Sequence, residues 1–548
     1  MTSLARTIPA QSTEIVHLQR PFSNFQFVEE RFEDLWPLRR ILSQVRQLGG
    51  KTMVLESVDG AQDILEENED IRSLAPSFKK TATFRLSFFT RSVGAPEGIS
   101  ELAPEDFIGF AILKDDHVPK IKGVSRSGRG IARVYESALR TSRHKNNYVR
   151  GAPSWQCRAG TEQFAVSAYL YAQQNSVTNC CAHVALRTVA ARFHPRGDVS
   201  YRMINEWVAK TRGKKRWQEC AVHEGLGKQE VAGFLEQVGA RCFQGDFTLK
   251  QRPPVPFQKY IYGSVESGYP AIVAFTVPPG RAGEEEPVAH AIPVFGHTFN
   301  EDIWVPNAAS SYFKIGTGTE YLPSELWVSM YVCHDDNWGS NFCIPRRYLY
   351  TRRLCGSLPE GPDLCPETPE CVGAVIGCLP GNVKTNPIQA EAIAADYLLK
   401  MLPHIPKECG AWAERLKYYA EEARNRAILR PLLVTGEQYA DHLGKVRDWN
   451  RSRLEPGLTS IFEPVAQDYF WMVELSVPEL FSANHRKVGE ILLRSNVDPG
   501  KKRDFRMFAF ARLPGYFAFL KGADPTKPQY EFLPTGLRGH VELYGCEE

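Results

Sequence analysis

The segment QNSVTNCCAHVALRTVAARF, Gln174 to Phe193, constrains this chain more than any other. After Cys180 come Ala182, Val184, Ala185, Leu186, Val189, Ala190 and Phe193, close to the i, i+3, i+4, i+7 spacing of a helix with one buried face. The run is alanine-rich and free of Gly and Pro until Pro195 stops it. Asn179 is the expected cap, which places Cys180 at the start of the helix. The positive end of a helix favours a thiolate there. Gln174 stands six residues upstream, where its amide can donate to the oxyanion formed when a thiolate attacks a carbonyl. Taken alone, however, such cysteines are more often small buried hydrophobes.

About 110 residues later the pattern changes to strands. AIVAFTV, Ala271 to Val277, follows the turn signal SGYP, and VAHAIPVFG, Val288 to Gly296, carries His290. A polar turn then leads to IWVPNA, a third expected strand holding Asn307. With an even-length hairpin loop, Asn307 becomes the same-face diagonal neighbour of His290 and Asp302 falls on the wrong face. Asn307 would then fix the imidazole tautomer while the other ring nitrogen faces the thiol.

The order Gln, Cys, His, Asn resembles the papain-like cysteine peptidases over about Gln163 to Tyr350, and is most similar to the branch containing bacterial leader-peptide peptidases. The motifs that carry the likeness are Q-x5-C, GLGKQEVAGFLEQVGARCF from Gly225, SGYPAIVAF, HAIPVFG and WVPNA. The resemblance implies a helix carrying the cysteine packed on an antiparallel sheet carrying His and Asn. It also implies Gln174 as the oxyanion residue, Cys180 as the nucleophile, His290 as general base and acid, and Asn307 as its orienting partner. Asn307 stands where that branch usually has aspartate, and Cys181 where it commonly has glycine. Cys181 as nucleophile would require Asn175 in the glutamine role, so the spacing favours Cys180. His183, one turn along the helix, is a competing base, although a base normally comes from a separate element. Pro293 predicts an edge or bulge in the histidine strand.

The next segment, SELWVSMYVCHDDNWGSNFCIPRRYLY, reads as two strands around a turn holding His334, Asp335, Asp336 and Asn337. Adjacent strand residues face opposite ways, so a structural or substrate-contacting turn is expected there before a metal site. One of these aspartates is the alternative partner for His290 if the register of Asn307 differs.

The chain has 548 residues, too many for one core, and divides by pattern into four parts. Residues 1–150 read as an α/β domain without a catalytic constellation, 151–352 as the peptidase-like domain, 353–386 as a Cys/Pro/Gly-rich linker, and 387–548 as an α+β domain. In the first part a helix is expected over Glu29 to Leu48, with strands at Thr83 to Ser92 and Asp106 to Lys114. In the last, helices are expected over Ile388 to Leu402 and Ala411 to Leu433, followed by several apolar strands. The fold class is therefore multidomain α+β. Cys355, Cys365, Cys371 and Cys378 lack the close pairs of a structural zinc site. No metal or cofactor is expected.

No run approaches a membrane span, and the N-terminus lacks the apolar core of a secretory signal. Thirteen scattered cysteines fit a reducing cytoplasm. Basic stretches at Val118 to Arg150 and Lys210 to Arg216 lack interleaved aromatics, so solvated loops are expected and nucleic acid is not. The expected function is a cytoplasmic cysteine peptidase acting on a protein or peptide substrate, with the C-terminal domain as the surface for a regulatory protein. The alternatives are acyl or isopeptide transfer at the same site, and a scaffold with an inactive one.

Overall fold

The computed structural model describes residues 4–32, 35–117, 130–141, 147–220, 225–248, 255–277, 288–299, 321–346, 349–351, 370–422, 427–455, 457–498, 507–521 and 529–546. Near the N-terminus, β1 (Ser12–His17), β2 (Thr52–Ser57), β3 (Lys79–Phe89), β4 (Phe107–His117) and β5 (Gly130–Leu139) form an antiparallel sheet in that order. Alternation along β2 explains how both faces are used. Met53 and Leu55 join a core with Leu38, Ile41, Leu42 and Val45, while Val54 joins another with Trp155, Phe164 and Val166. The single helix expected from Glu29 is two, α1 (Asn24–Phe32) and α2 (Trp36–Gln47), because Pro37 sits in a first turn, where its missing N–H costs nothing. A further helix, α3 (Gln62–Leu74), carries Glu67 and Asp70.

The central sheet contains β6 (Asn147–Val149), β7 (Ala240–Asp246), β8 (Ala271–Val277), β9 (Val288–Phe299), β10 (Val328–Asp335), β11 (Gly339–Pro345), β12 (Leu349–Thr351) and β13 (Glu370–Pro380). Its order is β11–β10–β9–β8–β13–β12, with β6 also on β9 and β7 also on β13. The histidine strand β9 thus lies inside the sheet. Pro293 is paired with Ile272 on one side, whereas pairing with β10 starts only at Val294 and shifts register just beyond it. The missing donor therefore falls where no ladder bond to β10 is formed, as a bulge-associated proline requires. The segment 353–386, expected as a linker, contributes β13 to the interior of this sheet. Its Pro and Gly residues disguised the apolar run VGAVIGCL, whose Val372, Val375, Ile376 and Cys378 are buried. Cys355 and Cys365 lie outside the described residues.

Helix α4 (Cys181–Ala190) packs on the central sheet beside α5 (Tyr201–Thr211) and α6 (Lys228–Gln237). Val184, Leu186 and Val189 meet Ile272, Ile376 and Cys378 in a shared core. Helix α7 (Phe257–Glu266) lies against β8, β9 and β13.

The C-terminal part adds α8 (Pro387–Met401) and an antiparallel series of strands beginning with β14 (Ile428–Thr435) and β15 (Tyr469–Ser476). The helix expected over Ala411 to Leu433 covers only Gly410–Lys417 and a following π turn. Ile428, Leu429, Leu432 and Leu433 belong instead to β14, an apolar run buried on both faces. Buried ion pairs bind this sheet to the central one: Glu266 of α7 accepts from Arg430 Nη2 at 2.8 Å and lies 3.0 Å from His297 Nε2 on β9. Among the described residues no helix is long and apolar enough to cross a membrane.

Candidate active site

The loop before α4 is organised by Asn175. Its Oδ1 accepts from the backbone N–H groups of Val177, Thr178 and Asn179, and its Nδ2 donates to Thr178 Oγ1 and to Glu67 Oε1. Its own N–H donates to Asn179 Oδ1 at 2.8 Å, so Asn179 braces the loop and does not cap the helix. Cys180 is the N-cap residue, extended at φ −123° and ψ −179°. Ser176 has φ 58°, a left-handed conformation that the Asn175 hydrogen bonds hold in place.

Cys180 Sγ lies 3.2 Å from His183 Nδ1, and His183 Nε2 lies 2.9 Å from Asn205 Oδ1. The Asn205 amide is oriented by Nδ2 donating to Thr178 O at 2.8 Å, which leaves Oδ1 facing the imidazole. Nε2 of a neutral His183 therefore carries the proton, and Nδ1 accepts from the thiol. The Cys181 thiol also donates to Cys180 and, with His183, outweighs burial, so the Cys180 thiol lies well below its ordinary range. Cys181 moves the opposite way, pushed up by Cys180 and by its own burial. Of the two adjacent cysteines, Cys180 is the one disposed to ionise.

The second histidine comes from β9. His290 Nε2 is 3.2 Å from Asp335 Oδ2 and 3.5 Å from Asp336 Oδ1. The other Asp335 oxygen accepts from the backbone N–H groups of Asn337 and Trp338 at 2.8 and 3.1 Å, which locks the carboxylate. Burial disfavours the Asp335 anion, but the hydrogen bond and charge of His290 prevail and hold it below the usual carboxylate range. Asp336 is dominated by burial and is pushed up to about 7. This cluster borders the thiols. The Ala291 backbone bonds to the Cys181 thiol, and Asp336 is close enough to Cys180 for their charges to interact.

Gln174 lies half-buried in the loop ahead of Cys180, and its side chain makes no hydrogen bond among the described residues. Asn307 and Asp302 fall outside the described residues. Within them, the partner of His290 is Asp335, the alternative raised by the HDDN turn. It reaches His290 because β10 pairs directly with β9. Asn205 had no sequence signal beyond lying on an amphipathic helix after the cysteine segment. Comparison of the chain with protein-family models, with curated proteins and with solved structures returns no match in any of the three.

Of the basic stretches, Arg133 is spent on Glu67 and Arg212 on Glu230, and other cations of the fold are spent in the same way. Lys114 and Arg133 contact Glu67 Oε2 at 2.5 and 2.6 Å, and Glu67 is held at about 2 because these cations outweigh its burial. Arg187, on the helix of Cys180, joins Glu136 and Asp198 with Arg6 in a buried cluster. The N-terminal sheet therefore anchors both the loop and the helix of the candidate site.

Proposed function

We propose that this chain is a thiol hydrolase of amide bonds, a cysteine peptidase acting on protein or peptide substrates. The observation that carries the reading is Cys180 at a helix N-terminus, its Sγ 3.2 Å from His183 Nδ1, with His290 on the strand packed against that helix and paired to Asp335 of the next strand. His183 takes the thiol proton in the resting protein, and Asn205 keeps its tautomer correct. The thiolate attacks the scissile carbonyl, and the oxyanion receives the Gln174 amide together with backbone N–H groups at the start of α4. His290, charged and fixed by Asp335, protonates the leaving amine. The neutral His290 then removes a proton from the water that resolves the thioester, returning the thiolate to protonated His183. The papain-like motif order supports this assignment of Gln174, Cys180 and His290, with Asp335 in the orienting role expected of Asn307. The described cysteines are all free thiols, which supports a reducing compartment.

The test compares wild type with Cys180→Ala by mapping new protein N-termini after expression. Termini present only with wild type support hydrolysis, and identical termini in the two overturn it.

A further inference from the structure

We propose that His290, Asp335 and Asp336 form a binding site for a divalent transition cation of the zinc class, and that the bound ion switches off the thiol chemistry. The second half rests on the hydrolase reading above; the first does not. One ligand atom from each residue lies within 4.8 Å of the others. The spacing suits a small ion. Ligands about 2.0–2.1 Å from a tetrahedral zinc stand about 3.3 Å apart, and His290 Nε2 is 3.2 Å from Asp335 Oδ2 and 3.5 Å from Asp336 Oδ1.

Asp336 points to a ligand independently of that geometry. Its side chain is 2% exposed, yet no neighbouring residue donates a hydrogen bond to either oxygen among the described residues. Beyond its own backbone N–H the carboxyl has no donor among the described residues, and a buried carboxylate so poorly served is costly as an anion unless a cation compensates it. His290 Nε2, already 3.2 Å from Asp335 Oδ2, reaches Asp336 as an ion-pair contact at 3.5 Å. The outer support of a metal site is also in place. Asp335 Oδ1 is held by two backbone N–H groups, and Tyr171 Oη donates to the Asp336 carbonyl at 3.4 Å. One imidazole and two carboxylates form a nitrogen–oxygen set suited to zinc and its neighbours more than to magnesium or calcium, which favour oxygen alone.

Binding displaces the proton that Nε2 shares with Asp335, and that proton leaves to solvent. His290 is then a neutral imidazole ligated at Nε2 with its remaining proton on Nδ1. It cannot become the imidazolium that protonates a leaving amine. Asp336 takes no part in the proposed hydrolysis, so Asp336→Asn separates ion binding from basal activity.

The experiment titrates full-length protein with cobalt(II) and then zinc, following visible cobalt absorption and calorimetric heat. A Cys180→Ser version of each variant removes competition from the reactive thiol. The expected result is one saturable equivalent in wild type, displaced by zinc, with affinity reduced at least about tenfold in Asp336→Asn and in His290→Gln. Undiminished binding in Asp336→Asn, or no saturable equivalent in wild type, overturns the site. Cys180-dependent amide cleavage, read as the rate at which new protein N-termini appear with and without zinc, tests the consequence. Zinc is expected to slow the wild type and spare Asp336→Asn, and equal slowing of both overturns the switch. Because cobalt absorption needs no turnover, its failure is distinguishable from failure of the hydrolase reading.

Discussion

Asn175 Nδ2 donates to Glu67 Oε1 at 3.1 Å, joining the loop ahead of Cys180 to helix α3, whose Glu67 is in turn held by Lys114 and Arg133 of the N-terminal sheet. The domain without a catalytic pattern of its own thereby sets the position of the nucleophile. Asn175→Ala removes the acceptor of three backbone N–H groups in a buried turn and leaves Ser176 in an unsupported left-handed conformation. Lost buried hydrogen bonds cost about 1–3 kcal/mol per stranded group, so with three stranded groups a loss of about 3 kcal/mol or more is expected. Urea unfolding followed by tryptophan fluorescence measures it, and a midpoint equal to wild type contradicts the structural role given to Asn175.

Glu67 gives the same connection a pH signature. Its folded value, about 2, is depressed from an ordinary value of 4.5, so its stabilisation is fully present above pH 4.5 and is lost as pH falls toward 2. The shift corresponds to about 3 kcal/mol. Glu67→Gln leaves Lys114 and Arg133 buried without their anion, so it is less stable near neutrality. The stability gap between wild type and Glu67→Gln should narrow on acidification. A gap independent of pH contradicts the assignment.

The sequence was legible where one periodicity governed a whole element. The helix of Cys180 and the strands carrying His290 and Asp335 fall where alternation and turn residues put them. It was less legible where local chemistry opposed tertiary pairing. The prolines and glycines around VGAVIGCL suggest a loop, but pairing to both β7 and β8 makes that run an interior strand. Likewise ILRPLL continues a helical alanine-rich stretch in composition, and is a strand because β15 pairs with it throughout. His183 could be weighed as a base from spacing alone. Asn205 could not, because the approach of α5 to the loop is a tertiary fact.

The His290–Asp335 pair predicts an asymmetric effect of substitution. Asp335→Asn keeps the shape but removes the charge that stabilises imidazolium, so turnover should fall by about 10²–10⁴-fold. Labelling of Cys180 by iodoacetamide should change little, because the thiol proton is held by His183. Measuring turnover and alkylation on the same variant separates the two histidines. Equal losses in both would assign Cys180 activation to His290 and contradict the arrangement proposed here.

Cys181 provides a test of how the thiolate is held. Its thiol donates to Cys180 Sγ and, with His183, keeps that thiol well below its ordinary range. Cys181→Ala removes the donor and should move the pH midpoint of Cys180 alkylation upward, since the thiolate loses one of its two side-chain partners. Cys181→Ser retains a hydroxyl donor at the same position and should keep the midpoint close to wild type. His183→Gln should raise the midpoint further, because a neutral amide cannot take the thiol proton. If Cys181→Ala abolishes labelling altogether while Cys180→Ala does not, the nucleophile is Cys181 and the lowered thiol at the helix N-cap is a bystander.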